Sequence, residues 1–361
     1  MRRLSILSLF LVPLLAFAAV CLSGCGGGNT SNQKRIVILT NGNSPFWDAA
    51  RAGLMDAKKK LELEKAGYDA VVEVNDGTDR GQIDKLRQFG SQSDIVAVGV
   101  SVNTAGNESI ADEMRNLRKK GIKVVTIDSD VERGTDRDAR LAFIGTDNLV
   151  GGRELGKCAI GLRPDGGEYV TFVGITGAQN AKERVGGFAE GAGPKFKSKD
   201  NMGDENDRTR AKENVRNAMS NHPNLNCLVG IWSYNAPAIA DVVKEKNARD
   251  RFIIVAFDAE PNAITSMGEG LIDAMVVQNP YEMGYQGVRM LKALLENDKA
   301  ILKEMLPNEG KPDGDLYDTG LKVVVPDSGS PLKAGMFNKN TQFLKLSEFR
   351  DWLQKYNLTG S

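Results

Sequence analysis

The chain has 361 residues, with 47 basic and 47 acidic side chains, 41% hydrophobic residues, four cysteines and one histidine. Its formal charge of zero gives no overall basicity that would suggest nucleic-acid binding through phosphates. The length exceeds what one hydrophobic core comfortably serves and points to about two domains.

Met1-Arg2-Arg3 precedes an apolar stretch over residues 4–22, which ends in Leu22-Ser23-Gly24-Cys25. A basic start, an apolar middle and a small-residue end make a secretory signal. A membrane-spanning helix is the competing reading, and either places the globular part outside the cytoplasm. The ending resembles the bacterial lipoprotein signal. That resemblance implies removal of residues 1–24, acylation of Cys25 and a membrane held through the lipid. Residues 25–33, small and polar, then read as a flexible tether.

The first strand is expected at 36–39 (Ile36-Val37-Ile38-Leu39), followed by the polar turn Thr40-Asn41-Gly42-Asn43-Ser44. Pro45 suits a first helical turn, where its missing N–H costs nothing. Phe46, Ala50, Leu54, Ala57 and Leu61 then recur at helical spacing. Further Val- and Ile-rich runs follow at 71–74, 95–100, 124–127, 141–144, 169–173, 228–231, 252–257 and 272–277. They show little alternation, as expected of strands buried on both faces of a parallel sheet. Helical patterns lie between them at 48–66, 83–90, 110–120, 150–162, 182–191, 211–221, 237–246, 263–269 and 284–295. This alternation predicts a doubly wound α/β fold, run through twice. Residues 304–320 read as a loop and 321–325 as a last strand. Residues 346–356 read as a docked helix, with Phe349, Trp352 and Leu353 on one face. Cys158 and Cys227, in apolar contexts, read as buried free thiols; the sequence leaves their separation open.

Several short motifs fall in order at strand ends and helix starts. They are Ser44-Pro45-Phe46-Trp47, Thr126-Ile127-Asp128, Gly145-Thr146-Asp147-Asn148 with Gly151-Gly152, Ala181-Lys182-Glu183-Arg184 with Gly187-Phe188, Ala256-Phe257-Asp258, and Gln278-Asn279-Pro280 with Met283-Gly284 and Gly287. Together they resemble the ribose- and galactose-type periplasmic sugar-binding proteins, the substrate-binding components of bacterial ABC importers (the type I periplasmic-binding-protein fold). The resemblance spans residues 36–325. It implies two α/β lobes joined by three crossing segments near 145–148, 279–280 and 321, closing on a sugar. The N-terminal lobe would comprise 34–146 plus 279–320 and the C-terminal lobe 147–278 plus 321–326, with 327–361 as an extension carrying the docked helix.

A sugar presents hydroxyls and C–H faces. Carboxylates accept strongly from hydroxyls, arginine supplies fixed donors, and aromatic rings cover C–H surface. Asp128 and Asp258 end apolar strands and match the family's hydroxyl acceptors, helix capping being the alternative. Arg184 matches a sugar-binding arginine, or else makes a surface ion pair with Glu183 or Glu190. Gln278 matches a ligand-binding amide near a crossing, or else satisfies hinge backbone. Ser44, Phe46 and Trp47 match the N-terminal lobe's contribution, with core packing the alternative for Phe46, and Ser101 follows the strand at 95–100. Trp232 and Tyr234 end another strand, and either Tyr234 or Asn235 takes the polar position in that turn. Ser44 and Ser129 depart from the asparagine and arginine that pentose-binding members often carry there, so ribose does not carry over.

The resemblance implies a monosaccharide ligand, an ABC permease partner, a monomeric state, an envelope location and no cofactor. A receptor reporting the same sugar to a membrane sensor or chemoreceptor is the neighbouring reading. A dinucleotide-dependent enzyme is more remote: no Gly-x-Gly-x-x-Gly follows the first strand, and His222 has no Cys or His cluster near it for nucleophile–base or metal chemistry. Asp204–Asp207 lacks the spacing of a calcium loop. A repressor relative would need a DNA-binding helix pair where this chain carries its signal segment.

Overall fold

A computed structural model describes residues 33–361; the expected signal segment, Cys25 and nearly all of the tether lie outside them. The chain begins β1 (Lys34–Leu39), α1 (Pro45–Lys60), β2 (Tyr68–Glu73), α2 (Asp79–Phe89), β3 (Ile95–Val100), α3 (Glu108–Lys119), β4 (Lys123–Ile127) and β5 (Phe143–Gly145). It continues α4 (Asn148–Leu162), β6 (Gly167–Val173), α5 (Gln179–Ala192), β7 (Phe196–Gly203), α6 (Arg208–Asn221), β8 (Leu225–Gly230), α7 (Asn235–Glu245), β9 (Ile253–Phe257), α8 (Pro261–Gly268) and β10 (Ala274–Val277). Then come α9 (Pro280–Glu296), α10 (Lys299–Met305), β11 (Leu316–Asp318), β12 (Leu321–Val325), β13 (Thr341–Lys345) and α11 (Leu346–Lys355).

These strands build two sheets. The six-stranded sheet runs β11-β5-β4-β3-β1-β2, and the seven-stranded sheet β13-β12-β10-β9-β8-β6-β7. Pairing is parallel throughout, except that β12 lies antiparallel to β10. The chain passes between sheets after β5, after β10 and after β11, so each lobe is assembled from separated stretches.

Residues that alternate along a strand face opposite sides of a sheet. In β1, Ile36 and Ile38 enter the core under α1 and α9, while Val37 and Leu39 enter the core with α2 and α3. In β9, Ile254 and Ala256 join the core with α7 and α11, and Val255 and Phe257 the core with α4 and α5. Each of these central strands feeds two cores, which is why its sequence is apolar without alternation.

Three elements depart from the sequence reading. Residues 304–320 are not all loop: α10 ends at Met305, and β11 adds the edge strand of the first sheet. Residues 341–345 form β13 beside β12. β7 carries exposed Lys197, Ser198, Lys199 and Asp200, a polarity that hides a strand from pattern reading but suits a sheet edge. Cys158 and Cys227 are free and fully buried, and burial pushes both thiols well above their ordinary pKa.

Glycines set the helix spacing. A Cβ on Gly152 would lie 2.3 Å from the Arg184 carbonyl oxygen, and one on Gly187 2.3 Å from that of Leu149. Backbone therefore meets backbone between α4 and α5. The same holds for α1 and α9, where Cβ atoms on Gly53 and Gly284 would strike the carbonyls of Tyr281 and Ala50.

Candidate functional site

Asp128 follows β4 and Asp258 follows β9, and both adopt the left-handed region, with φ of 66° and 63°. Such a conformation is uncommon outside glycine. Each residue keeps one backbone bond to the next strand: Asp128 N–H donates to Ile144 O at 3.0 Å, and Asp258 N–H to Val276 O at 2.8 Å. The chain then turns sharply, and both carboxylates line one cavity between the lobes. Neither caps a helix; the residue preceding α8 is Glu260.

Arg184, on α5, joins them from the second lobe and is almost fully buried. Its Nε donates to Asn148 Oδ1 at 2.8 Å and its Nη1 to Ile231 O at 3.1 Å. Nη1 also stands 3.8 Å from Asp258 Oδ2, and the guanidinium lies 4.0 Å over the Phe257 ring. The expected alternative, a surface ion pair with Glu183 or Glu190, is not what forms: Glu190 pairs with Arg153, and Glu183 with Arg133. Gln278, in the second crossing, donates from Nε2 to Asp258 Oδ1 at 3.0 Å. Arg184 Nη2 and Gln278 Oε1 are among the few buried polar atoms of the described residues without a partner. An orphaned donor and an orphaned acceptor thus sit within one cluster, and leaving such groups unpaired costs about 1–3 kcal/mol each.

The buried charges are mutually dependent. Burial pushes Asp128 up to about 6, with Asp258 adding to the rise and Arg184 and Ser101 opposing it. Burial also raises Asp258, against Arg184 and Gln278. Burial lowers Arg184 from its ordinary value, while Asp258 and Asp128 hold it up.

The cavity measures about 540 Å³, and its walls bring together most of the sequence candidates. Ser44, Phe46 and Trp47 line it from the start of α1, with the two rings edge to face at 5.1 Å. Trp232 and Tyr234 line it from the turn after β8. Two candidates stand behind the lining instead. Ser101 is fully buried and donates from Oγ to Asp128 Oδ2 at 3.1 Å. Asn235 is fully buried too; its Oδ1 accepts from Trp232 N–H at 3.0 Å and its Nδ2 donates to Asp204 Oδ2 at 2.8 Å. Between the two options for that turn, Tyr234 is the one on the wall. Asp130, two residues beyond Asp128, is also outside the cavity, held by Arg140 at 2.7 Å and by Arg133 at 2.9 Å.

Sequence reasoning missed the amides Asn41, Asn103 and Asn180, which also line the cavity. Asn41 accepts from Trp47 Nε1–H at 3.2 Å and Asn180 from Trp232 Nε1–H at 3.3 Å, so each fixes an aromatic wall. The available signal was their place just past strand ends or at a helix start. Beside the cleft, Arg133 of the first lobe donates to Glu183 of α5 at 3.1 Å, and Glu132 approaches Lys182 at 3.7 Å. These ion pairs join the lobes.

The Periplasmic binding protein domain family matches residues 36–299. The ribose import binding protein of Escherichia coli (strain K12) is 23% identical over 313 residues, covering 85% of this chain and 96% of that protein. The D-allose-binding periplasmic protein of the same organism is 24% identical, covering 78% and 89%. Among solved structures, an ABC transporter solute binding protein from Burkholderia graminis C4D1M in complex with D-arabinose is 25% identical, with a TM-score of 0.70 over 83% of this chain and 99% of that one. A glucose-galactose binding protein from Geobacillus stearothermophilus, 22% identical, shares the fold with a TM-score of 0.70 over 81% and 97%. With its two-sheet topology, its cleft between lobes and a family match over most of its length, this chain belongs to the periplasmic binding protein domain family.

Proposed function

We propose that the chain is an extracytoplasmic substrate-binding protein that captures a monosaccharide by lobe closure and delivers it to an ABC importer. The observation that carries this reading is the buried cluster Asp128–Arg184–Asp258–Gln278, with its unpartnered donor and acceptor, flanked by Trp47 and Trp232. Carboxylates and an amide oxygen accept from hydroxyls, the guanidinium donates to ring or hydroxyl oxygens, and indole faces cover C–H surface. A ligand that meets both lobes at once shifts the equilibrium toward closure by its differential affinity for the closed form. The Arg133–Glu183 pair adds to that form. No step requires bond making, and the family's named relatives are binding proteins.

A thermal-shift panel of pentoses, hexoses and polyols tests the reading. A sugar present at one hundred times its Kd stabilises the native state by about 2.7 kcal/mol. A panel in which no member moves the melting temperature sinks it.

The Asp128 carboxyl supplies a pH test. Its folded pKa, about 6, lies above the ordinary carboxylate value, so between the two the folded protein holds a proton the unfolded chain has lost. Its contribution to stability is therefore present at low pH and is lost as pH rises through 6. Binding runs the other way, because the protonated carboxyl is a weaker acceptor. Sugar affinity is expected to be level above pH 7 and to fall toward pH 5, and Asp128→Asn to flatten that dependence. Calorimetry at both pH values decides it; equal affinities for the parent would remove Asp128 from the acceptor role.

Lipid anchoring through Cys25 is part of the same proposal. The Cys25→Ser chain is expected in the soluble fraction after membrane separation, and a variant that still sediments with membranes would overturn the anchor.

A further inference from the structure

The C-terminal segment makes contacts unlike those of a simple covering helix. α11 belongs to the second lobe, burying Leu346, Phe349 and Leu353 in its core beside α8 and β12. From Trp352 onward the segment also reaches the crossings and the first lobe, while Leu353 and Leu358 stay packed on the second-lobe core. Trp352 lies over Lys322 Nζ, 4.1 Å from the ring centre, where β12 leaves the third crossing. Tyr356 packs on Tyr281 with centroids 4.5 Å apart. Tyr281 sits at the start of α9, on the first lobe, and its hydroxyl donates to Asp56 of α1. Asn357 turns the chain with φ of 54°.

The segment then reaches the second crossing. Ser361, 3% exposed, exchanges both backbone bonds with Ala259, at 2.6 and 3.0 Å, and its Oγ donates to the Gln278 carbonyl at 3.2 Å. Ala259 follows the cleft carboxylate Asp258, and Gln278 is the amide bonded to that carboxylate.

From these contacts we infer that residues 356–361 form a strap of positioning residues, tied to both lobes and the second crossing, which sets the lobe angle and seats Asp258 and Gln278. The seating role rests on the sugar reading of the cleft; the control of lobe angle does not. A backbone pair on Ala259 restrains the strained turn carrying Asp258, and the Tyr356–Tyr281 contact moves only if α9 moves relative to α11. Loss of either is expected to populate more open arrangements of the sugar-free protein, and to weaken binding in proportion to the lost closed fraction.

The test compares the parent with Tyr356→Ala, Tyr356→Phe and a chain truncated after Leu358, by small-angle X-ray scattering without sugar. Tyr356→Ala and the truncation should give a larger radius of gyration with a folded profile, while Tyr356→Phe, which keeps the ring contact, should follow the parent. Superimposable curves for the parent and the truncated chain overturn the proposal. If Tyr356→Ala loses its folded profile, the truncation, which removes only Thr359, Gly360 and Ser361, decides by the same two results. Affinity is then read with whichever panel sugar most raises the parent's melting temperature, and about a tenfold loss is expected in the truncated chain; an unchanged affinity overturns the seating role. A panel with no binding sugar would overturn the reading of the cleft, while the scattering comparison would still decide the strap.

Discussion

Replacing Asp258 with asparagine is expected to weaken sugar binding roughly 100-fold, about 2–3 kcal/mol, in a protein that remains folded. The charged acceptor disappears while the shape stays, and Gln278 Nε2 keeps an oxygen to donate to. Arg184 loses its nearer carboxylate, 3.8 Å away, and is left with Asp128. Asparagine is the informative choice, because alanine would also leave a hole beside a buried guanidinium and mix folding with binding. Calorimetry with the panel sugar reads the effect, and circular dichroism confirms the fold. An unchanged Kd would remove Asp258 from the acceptors and leave the cluster a structural ion pair.

A large loss of stability is expected at Gly152. Gly152→Val places a branched side chain where the Cβ alone would be 2.3 Å from the Arg184 carbonyl oxygen. That oxygen is backbone, and the reciprocal contact of Gly187 with the Leu149 carbonyl stops the helices from sliding apart locally. Overpacking of this kind costs about 3 kcal/mol, read as a lower urea midpoint at an unchanged slope. Sugar affinity should fall as well, because α5 carries Arg184 into the cleft. Gly186→Ala is the control: nothing lies within 4 Å of a Cβ there, so the substitution should be neutral or gain from helix propensity. Equal midpoints for the two variants would show that the α4–α5 contact yields.

Much of the candidate cleft lining is legible in the sequence because it lies where strand patterns stop. Asp128 and Asp258 end apolar strands, and an acid there must face either a helix N-terminus or a cleft. Arg184 and Gln278 were placed by motif, and structure supplies their common partner, Asp258. Ser101 and Asn235 were read one layer too far forward, since a polar residue at a strand end looks the same whether it meets the ligand or holds the residue that does. The amides Asn41 and Asn180 were illegible because their task, gripping an indole N–H, depends on tertiary placement. In the fold, β7 and β11 escaped for opposite reasons. The first is a polar edge, and the second is a three-residue strand whose partner β5 is 170 positions and more away in sequence.

The order of assembly follows from the crossings. α9 covers the face of the first sheet that α1 also covers, and Tyr281 bonds Asp56 across 225 positions of sequence. A chain emerging from its N-terminus would therefore hold β1–β5 and α1–α3 with one flank uncovered until β6–β10 of the second lobe had followed. The two backbone-tight glycine contacts of α1 with α9 can form only then. High contact order of this kind slows folding and prolongs exposure of apolar surface. The incomplete first lobe, its α9-facing flank uncovered, is expected to be the folding species most prone to bind a chaperone.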